Sequence, residues 1–131
     1  MTLGGIYYWY PKMFGRMMDQ KLGYYHFWIT FIGINLTWIP LFGLTDMPRR
    51  IYFYQESAGW ELAHLIASIG GFVVFAGQLL FFYNFWRSMK HGEVAGANPW
   101  NGSTLEWAVS SPPPVHNFDD AFVYPLTQES E

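Results

Sequence analysis

The chain has 131 residues, no cysteine and a formal net charge of −3; 51% of its residues are hydrophobic and only 13% are charged. Residues 1–90 carry all seven Lys and Arg and four acids, a formal +3, whereas residues 91–131 carry six acids and no base, a formal −6. The lack of cysteine excludes disulfides, cysteine-ligated iron–sulfur clusters, thiolate zinc sites and cysteine nucleophiles. The acidic balance argues against a basic nucleic-acid-binding module.

Residues 1–21 are predicted to hold the end of a preceding helix and a cytoplasmic loop. Four consecutive aromatic residues stand just before Pro11 and Lys12, as is typical of a helix that reaches a membrane interface. At ~1.5 Å per residue, the stretch up to Pro11 covers only about half of the hydrocarbon layer. A charged terminal amine at mid-membrane is costly. We therefore expect that a partner covers this end, that the stretch lies in the interface, or that it is the tail of something longer.

Two long uncharged runs follow, the first within residues 22–45 and the second within residues 62–86. Both exceed the ~20 residues that a helix needs to cross ~30 Å of hydrocarbon. Neither shows the polar face that a buried helix of a soluble protein presents about every 3.6 residues. The sequence therefore predicts an all-α membrane protein, a two-span transmembrane helical hairpin with an irregular C-terminal tail.

Each run also contains residues that favour packing against protein. In the first run, Asn35 needs a hydrogen-bond partner in apolar surroundings, and a structural role for it is favoured over a ligand role. In the second run, small residues recur every four positions, which allows another helix to approach closely. The members of this stripe are Ala63, Ala67 and Gly71, with Ser68, Gly70, Ala76 and Gly77 nearby.

Five of the seven basic residues flank the same side of the two runs and predict the orientation of the hairpin. They are Lys12, Arg16, Lys21, Arg87 and Lys90. Because basic residues accumulate on the inner side of a membrane, this side is predicted to be cytoplasmic, or matrix in a mitochondrion. The loop formed by residues 46–61 then lies outside.

The outer loop contains two adjacent arginines, Arg49 and Arg50, on the side where topology disfavours them. Guanidinium groups are permanently charged and fit carboxylates or phosphates with two parallel hydrogen bonds, so the pair could clamp two acidic groups. The residues alone also allow a solvated turn, a bridge to Asp46 or Glu56, or a contact with lipid phosphates.

The tail, residues 87–131, is predicted to lie on the cytoplasmic face without regular structure, because it is rich in Gly and Pro and shows no strong periodicity. Disorder is the alternative for such a segment. Large aromatic residues favour docking onto the rest of the complex instead, and the predicted anchors are Trp100, Trp107, Phe118, Phe122 and Tyr124.

Several segments in order along the chain resemble the C-terminal end of subunit I of the haem-copper cytochrome c oxidases. These segments are Tyr10-Pro11-Lys12-Met13-Phe14-Gly15-Arg16, His26-Phe27-Trp28, Phe31 to Thr37, Met47-Pro48-Arg49-Arg50, Asn98-Pro99-Trp100, Thr104-Leu105-Glu106-Trp107, and Ser110 to Pro114 followed by His116-Asn117-Phe118. Each is a weak signal alone. Together, at compatible spacing across nearly the whole sequence, they identify it as a member of that family.

The resemblance implies that the two runs match the last two of the family's twelve helices. It assigns Arg49 and Arg50 to the propionates of the two haems, and it places Trp38 where the family has an aromatic residue near the low-spin haem. This sequence departs from the family pattern before the arginines. Two residues, one of them a His, are missing after Pro40, and Asp46 stands where a small residue is usual, so the loop is expected to be reshaped.

The resemblance assigns no metal ligand or catalytic residue to this polypeptide. The family's ligands for the haem irons and for copper lie in earlier helices, so a partner segment would hold the second haem and the copper. The four histidines here are widely separated and form no i, i+4 or His-x-His pair. His26 and His64 are interpreted as structural, and His91 and His116 as solvated or hydrogen-bonded residues of the polar end.

By resemblance, the assembled enzyme passes electrons from cytochrome c to oxygen, forms water and pumps protons. The implied partners are the remaining helices of subunit I, other oxidase subunits, membrane lipid and, through the complex, cytochrome c. The implied location is the cell inner (plasma) membrane, as a multi-pass protein, or the mitochondrial inner membrane in a eukaryote. A quinol oxidase and a non-catalytic membrane assembly or structural subunit are the alternatives.

Overall fold

A computed structural model describes residues 2–44 and 58–116, which contain three α-helices. They are α1 (Thr2–Phe14), α2 (Gln20–Phe42) and α3 (Glu61–His91), followed by one short 3₁₀ turn, Leu105–Trp107. The protein divides into two compact units: Gln20–Asn84 forms a helical hairpin, and Met1–Asp19 together with Phe85–Glu131 forms a second unit, here called the tail unit. The predicted helical fold class is confirmed.

Helix α1 ends because Gly15 takes a left-handed conformation, with φ of 66°. The Gly15 N–H donates to the Pro11 carbonyl at 2.7 Å, which satisfies one of the carbonyl groups left open at the helix end. A Cβ atom at Gly15 would lie 2.8 Å from Pro112 Cδ and 3.2 Å from the Ser111 carbonyl oxygen. Glycine is thus required here both for the backbone conformation and for the close approach of the tail.

Gly15→Ala is expected to destabilise the tail unit by roughly 2 kcal/mol or more, because a left-handed non-glycine residue costs about 1–2 kcal/mol before the contact with Pro112 is counted. Gly4→Ala, inside α1, is the control, since a Cβ atom there meets nothing within 4 Å. It should stabilise the helix by up to about 1 kcal/mol. Thermal unfolding of the full-length polypeptide in lipid nanodiscs measures both changes; equal melting temperatures would contradict the role of Gly15.

In the hairpin, α2 and α3 run antiparallel and approach closely where glycines face the other helix. A Cβ atom at Gly33 would lie 2.8 Å from the backbone nitrogen of Val74, and one at Gly70 would lie 2.5 Å from that of Thr37. A Cβ atom at Gly77 would lie 2.6 Å from Thr30 Oγ1. The missing side chains therefore allow the two backbones to come together.

The contact face of α3 agrees only in part with the predicted small residues: Ala67, Gly70 and Gly77 are buried, whereas Gly71 and Ala76 are exposed. Its buried or close positions follow a spacing of three and four residues, Ala67, Gly70, Val74, Gly77, Phe81 and Asn84. This is the heptad spacing of helices that cross at about 20°. Gly71, which the every-four pattern selected, is exposed and a Cβ atom there meets nothing within 4 Å. The error has a physical cause: a strict repeat of four drifts around a helix of about 3.6 residues per turn.

Three polar side chains inside the helices donate to the backbone of their own helix. Asn35 Nδ2 donates to the Phe31 carbonyl at 2.7 Å, and Thr37 Oγ1 donates to the Gly33 carbonyl at 2.8 Å. Ser68 Oγ donates to the His64 carbonyl at 2.8 Å. The structural interpretation of Asn35 agrees with this contact.

Within the described residues, one helix, α3, is long and apolar enough to be a candidate membrane span. Most of its apolar side chains point outward, as expected of a helix that meets lipid or other helices rather than water. Helix α2 has 23 residues, but Tyr, Trp, His and Asn residues reduce its hydropathy. The predicted two-span arrangement is therefore supported for α3 and stays a prediction for α2.

Candidate functional site

The predicted haem-contacting residues are divided between the described and undescribed parts of the protein. Arg49 and Arg50 lie outside the described residues. Trp38 lies in the last third of α2, and 57% of its surface is exposed. Its indole ring is thus available to a group outside the hairpin, and its contact with haem stays a prediction.

The histidines occupy separate environments. His26 is buried in the hairpin, with its ring 5.3 Å from the ring of Phe81, and His64 is partly buried in α3. His91 and His116 are exposed. Within residues 2–44 and 58–116, no three His, Asp or Glu side chains come together as a metal site would require.

The tail unit contains the densest set of polar contacts in the described part of the protein, and it begins with a short backbone pairing. Arg16 and Val94 form an antiparallel bridge, in which Met17 N–H donates to the Glu93 carbonyl at 2.8 Å and Ala95 N–H donates to the Gly15 carbonyl at 2.9 Å. Arg16 also donates to the Gly92 carbonyl at 2.7 Å. These bonds fix the course of the backbone directly after α3.

Lys12 is the centre of this unit, although it is a lysine with only 8% of its surface exposed. Its ammonium group donates to three carbonyl oxygens of the tail, at 2.9 Å from Ala97, 2.6 Å from Val109 and 3.2 Å from Ser110. All three donors of a lysine are thereby used. One cation therefore ties two separate tail segments to the end of α1; we call this the Lys12 clamp.

Aromatic side chains close the clamp on one side. The Trp107 ring is 2% exposed and lies 5.1 Å from Lys12 Nζ, within the range of a cation–π interaction. Trp107 Nε1 donates to the Tyr8 hydroxyl at 2.8 Å, and Trp100 Nε1 donates to the Tyr8 carbonyl at 2.9 Å. Of the five predicted anchors, Trp100 and Trp107 thus contact α1, whereas the other three lie outside the described residues.

The pKa values of Lys12 and of the nearby Glu106 are both shifted by their surroundings. Burial lowers the pKa of Lys12, and the Glu106 carboxylate opposes this shift. The pKa of Glu106 is lowered, first by a hydrogen bond from its own backbone and second by the Thr104 side chain. The lowered pKa of Glu106 favours its charged carboxylate form. Farther along the unit, Arg87 and Asp19 form an exposed ion pair at 3.0 Å.

In the sequence, Lys12 indicates membrane orientation and stands in one of the family segments, but neither feature predicts the clamp. The three carbonyls that Lys12 contacts belong to residues 85 to 98 positions away, so no local sequence pattern predicts these contacts. The sequence feature that could have predicted the clamp is a lysine directly after aromatic residues and a proline, together with two tryptophans in an acidic tail.

The hairpin and its outward apolar surface define a helical polypeptide with a candidate membrane-spanning helix. Residues 1–73 match the family described as "Cytochrome C and Quinol oxidase polypeptide I". The chain is 45% identical, over 88% of its length, to cytochrome c oxidase subunit 1 of Bacillus sp. (strain PS3) and to that of Thermostichus vulcanus. It is 43% identical, over 91% of its length, to haem-copper oxidase subunit I+III of Aeropyrum pernix.

These similarities show that the chain belongs to the cytochrome c and quinol oxidase polypeptide I family. The resemblance seen in the sequence motifs is thereby confirmed. The chain spans only 19%, 21% and 15% of the length of these three relatives, respectively.

Proposed function

We propose that this polypeptide is the C-terminal segment of the catalytic subunit of a haem-copper terminal oxidase. In that enzyme, electrons from cytochrome c reduce oxygen to water and the reaction is coupled to proton pumping. The observation that carries the proposal is the 45% identity, over 88% of the chain, to cytochrome c oxidase subunit 1. The names of the relatives favour cytochrome c oxidase over the quinol oxidase alternative.

The polypeptide would act only with a partner that supplies the metal ligands. This division rests on the resemblance, in which the family's ligands for iron and copper lie in helices before this segment, and the chain spans only 19% of a related subunit 1. Haem would supply the electron-transfer and oxygen-binding chemistry. This polypeptide would contribute the guanidinium groups of Arg49 and Arg50 to the propionates, and the ring of Trp38 to one side of a haem pocket.

The proposed topology is a two-span hairpin in an inner membrane, with residues 22–45 and 62–86 in the hydrocarbon. The length of α3 supports it, since 31 residues extend about 46 Å, more than the ~30 Å of hydrocarbon. The part of α3 that extends beyond the hydrocarbon contains Arg87 and Lys90, which belong to the tail unit. The proposal places these residues on the cytoplasmic side and residues 46–61 outside. Other oxidase subunits, lipid and cytochrome c complete the set of proposed partners.

Replacing either Arg49 or Arg50 by Gln in the assembled complex is expected to lower the midpoint potential of haem. The loss of a positive charge beside the propionates favours the oxidised haem, so the midpoint potential falls. A tenfold change in a one-electron equilibrium corresponds to about 60 mV. Spectroelectrochemical titration of the purified complex measures the shift.

Arg87→Gln is the matched control, because it also removes one guanidinium but breaks only an exposed pair with Asp19. A midpoint potential and spectrum that stay the same in the Arg49 and Arg50 variants would favour a non-catalytic subunit. The polypeptide should also co-purify with a haem-containing partner; if it is isolated alone and colourless, the proposed function is wrong.

A further inference from the structure

A tight turn in the tail unit is held by one asparagine side chain. Asn98 Oδ1 accepts a hydrogen bond from the Gly102 N–H at 2.8 Å, and Asn98 Nδ2 donates to the Gly102 carbonyl at 2.8 Å. Between them, Asn101 is exposed and has a positive φ of 51°. The turn therefore presents an Asn-Gly pair to solvent while the amide nitrogen of the glycine is engaged.

Asn-Gly is the sequence in which an asparagine side chain is attacked most easily, because glycine places no side chain near the attacking backbone nitrogen. We propose that Asn101 is a site of spontaneous deamidation and that Asn98 restrains the reaction. The Gly102 nitrogen would attack Asn101 Cγ and form a new C–N bond. The bond between Asn101 Cγ and Nδ2 breaks, and the Gly102 N–H proton passes by way of water to the departing Nδ2, which leaves as ammonia.

Water then opens the cyclic imide at one of its two C–N bonds, which yields aspartate or isoaspartate at position 101. No oxidant or cofactor takes part. The nitrogen that attacks is the one whose N–H donates to Asn98. While the hydrogen bond to Asn98 is present, water cannot remove the proton from the Gly102 nitrogen, so the hydrogen bond slows the first step.

The product would alter the Lys12 clamp, because the turn lies directly against it. A Cβ atom at Gly102 would lie 2.5 Å from Trp107 Cδ1 and 2.9 Å from Trp107 Nε1. Isoaspartate at position 101 adds one methylene to the backbone directly before Gly102, and it adds one negative charge beside this contact. The longer backbone would displace Trp107 from Tyr8 and Lys12, so deamidation would loosen the tail.

The test is the rate of isoaspartate formation in the full-length polypeptide within its complex, measured by peptide mass spectrometry and isoaspartyl methylation during incubation in mildly alkaline buffer. Asn98→Ala should accelerate conversion about fivefold, which corresponds to losing one hydrogen bond of about 1 kcal/mol. Asn101→Gln should suppress it, because the longer side chain would have to form a larger ring.

Asn98→Asp separates the hydrogen bond from general loosening of the turn. Its carboxylate still accepts from the Gly102 N–H but cannot donate to the Gly102 carbonyl, so conversion should stay close to the original rate. Equal acceleration in the Ala and Asp variants, or no acceleration in the Ala variant, would overturn the restraint by Asn98. No conversion in any variant would overturn the site itself.

Discussion

Lys12→Met should release the tail from α1. The methionine fills a similar volume but offers no donor, so the carbonyls of Ala97, Val109 and Ser110 lose the group that satisfies them. The three hydrogen bonds are partly buried, and a hydrogen bond from a charged donor contributes about 1.5–3 kcal/mol, so the expected destabilisation is roughly 3 kcal/mol. Limited proteolysis of the full-length polypeptide in nanodiscs should show cleavage between residues 93 and 116 at least tenfold faster, since about 1.4 kcal/mol is a factor of ten.

Lys90→Met is the control for this experiment. Lys90 belongs to the same unit and carries the same charge, but it is exposed. It should therefore change the cleavage rate little. Lys12→Arg adds a second comparison, because it keeps the charge but replaces a compact ammonium by a planar fork that does not match three converging carbonyls. Equal cleavage of the Lys12→Met and Lys90→Met variants would refute the clamp.

Gly70→Ala should separate the two helices of the hairpin. The added methyl group would meet the Thr37 backbone nitrogen at 2.5 Å and the Gly33 carbonyl oxygen at 2.8 Å. Backbone atoms cannot move aside as the end of a flexible side chain does, so we expect a cost near the upper end of the 1–3 kcal/mol typical of overpacking, about 3 kcal/mol. Thermal unfolding in nanodiscs, followed by circular dichroism, measures the loss.

Gly71→Ala, at the adjacent position, is the matched control. A methyl group there meets nothing within 4 Å, so the change should be neutral or stabilising by up to about 1 kcal/mol. The pair differs only in which side of α3 carries the methyl group. Similar melting temperatures for the two variants would contradict the contact face of α3 seen in the structure, and a lower value for Gly71→Ala would favour the predicted every-four stripe.

The sequence determined the features that depend on local composition. The uncharged runs predicted the helices α2 and α3, and the order of the motifs indicated the family, because both are encoded in neighbouring residues. It also singled out Trp100 and Trp107 as anchors of the tail. The roles of Arg49, Arg50 and Trp38 rest on motif resemblance, and the proposed titration of the Arg49 and Arg50 variants would test the two arginines against a non-catalytic role.

Only the tertiary structure showed which side of each helix packs against the other helix and which groups Lys12 contacts. The choice of Gly70 over Gly71 depends on helical phase, which a count of small residues does not resolve. The burial of Lys12 depends on carbonyls that lie at least 85 positions along the sequence. A lysine can be buried only where such distant acceptors replace its water. Composition therefore predicted a charge at a membrane interface, whereas the folded protein makes the same charge the centre of its tail.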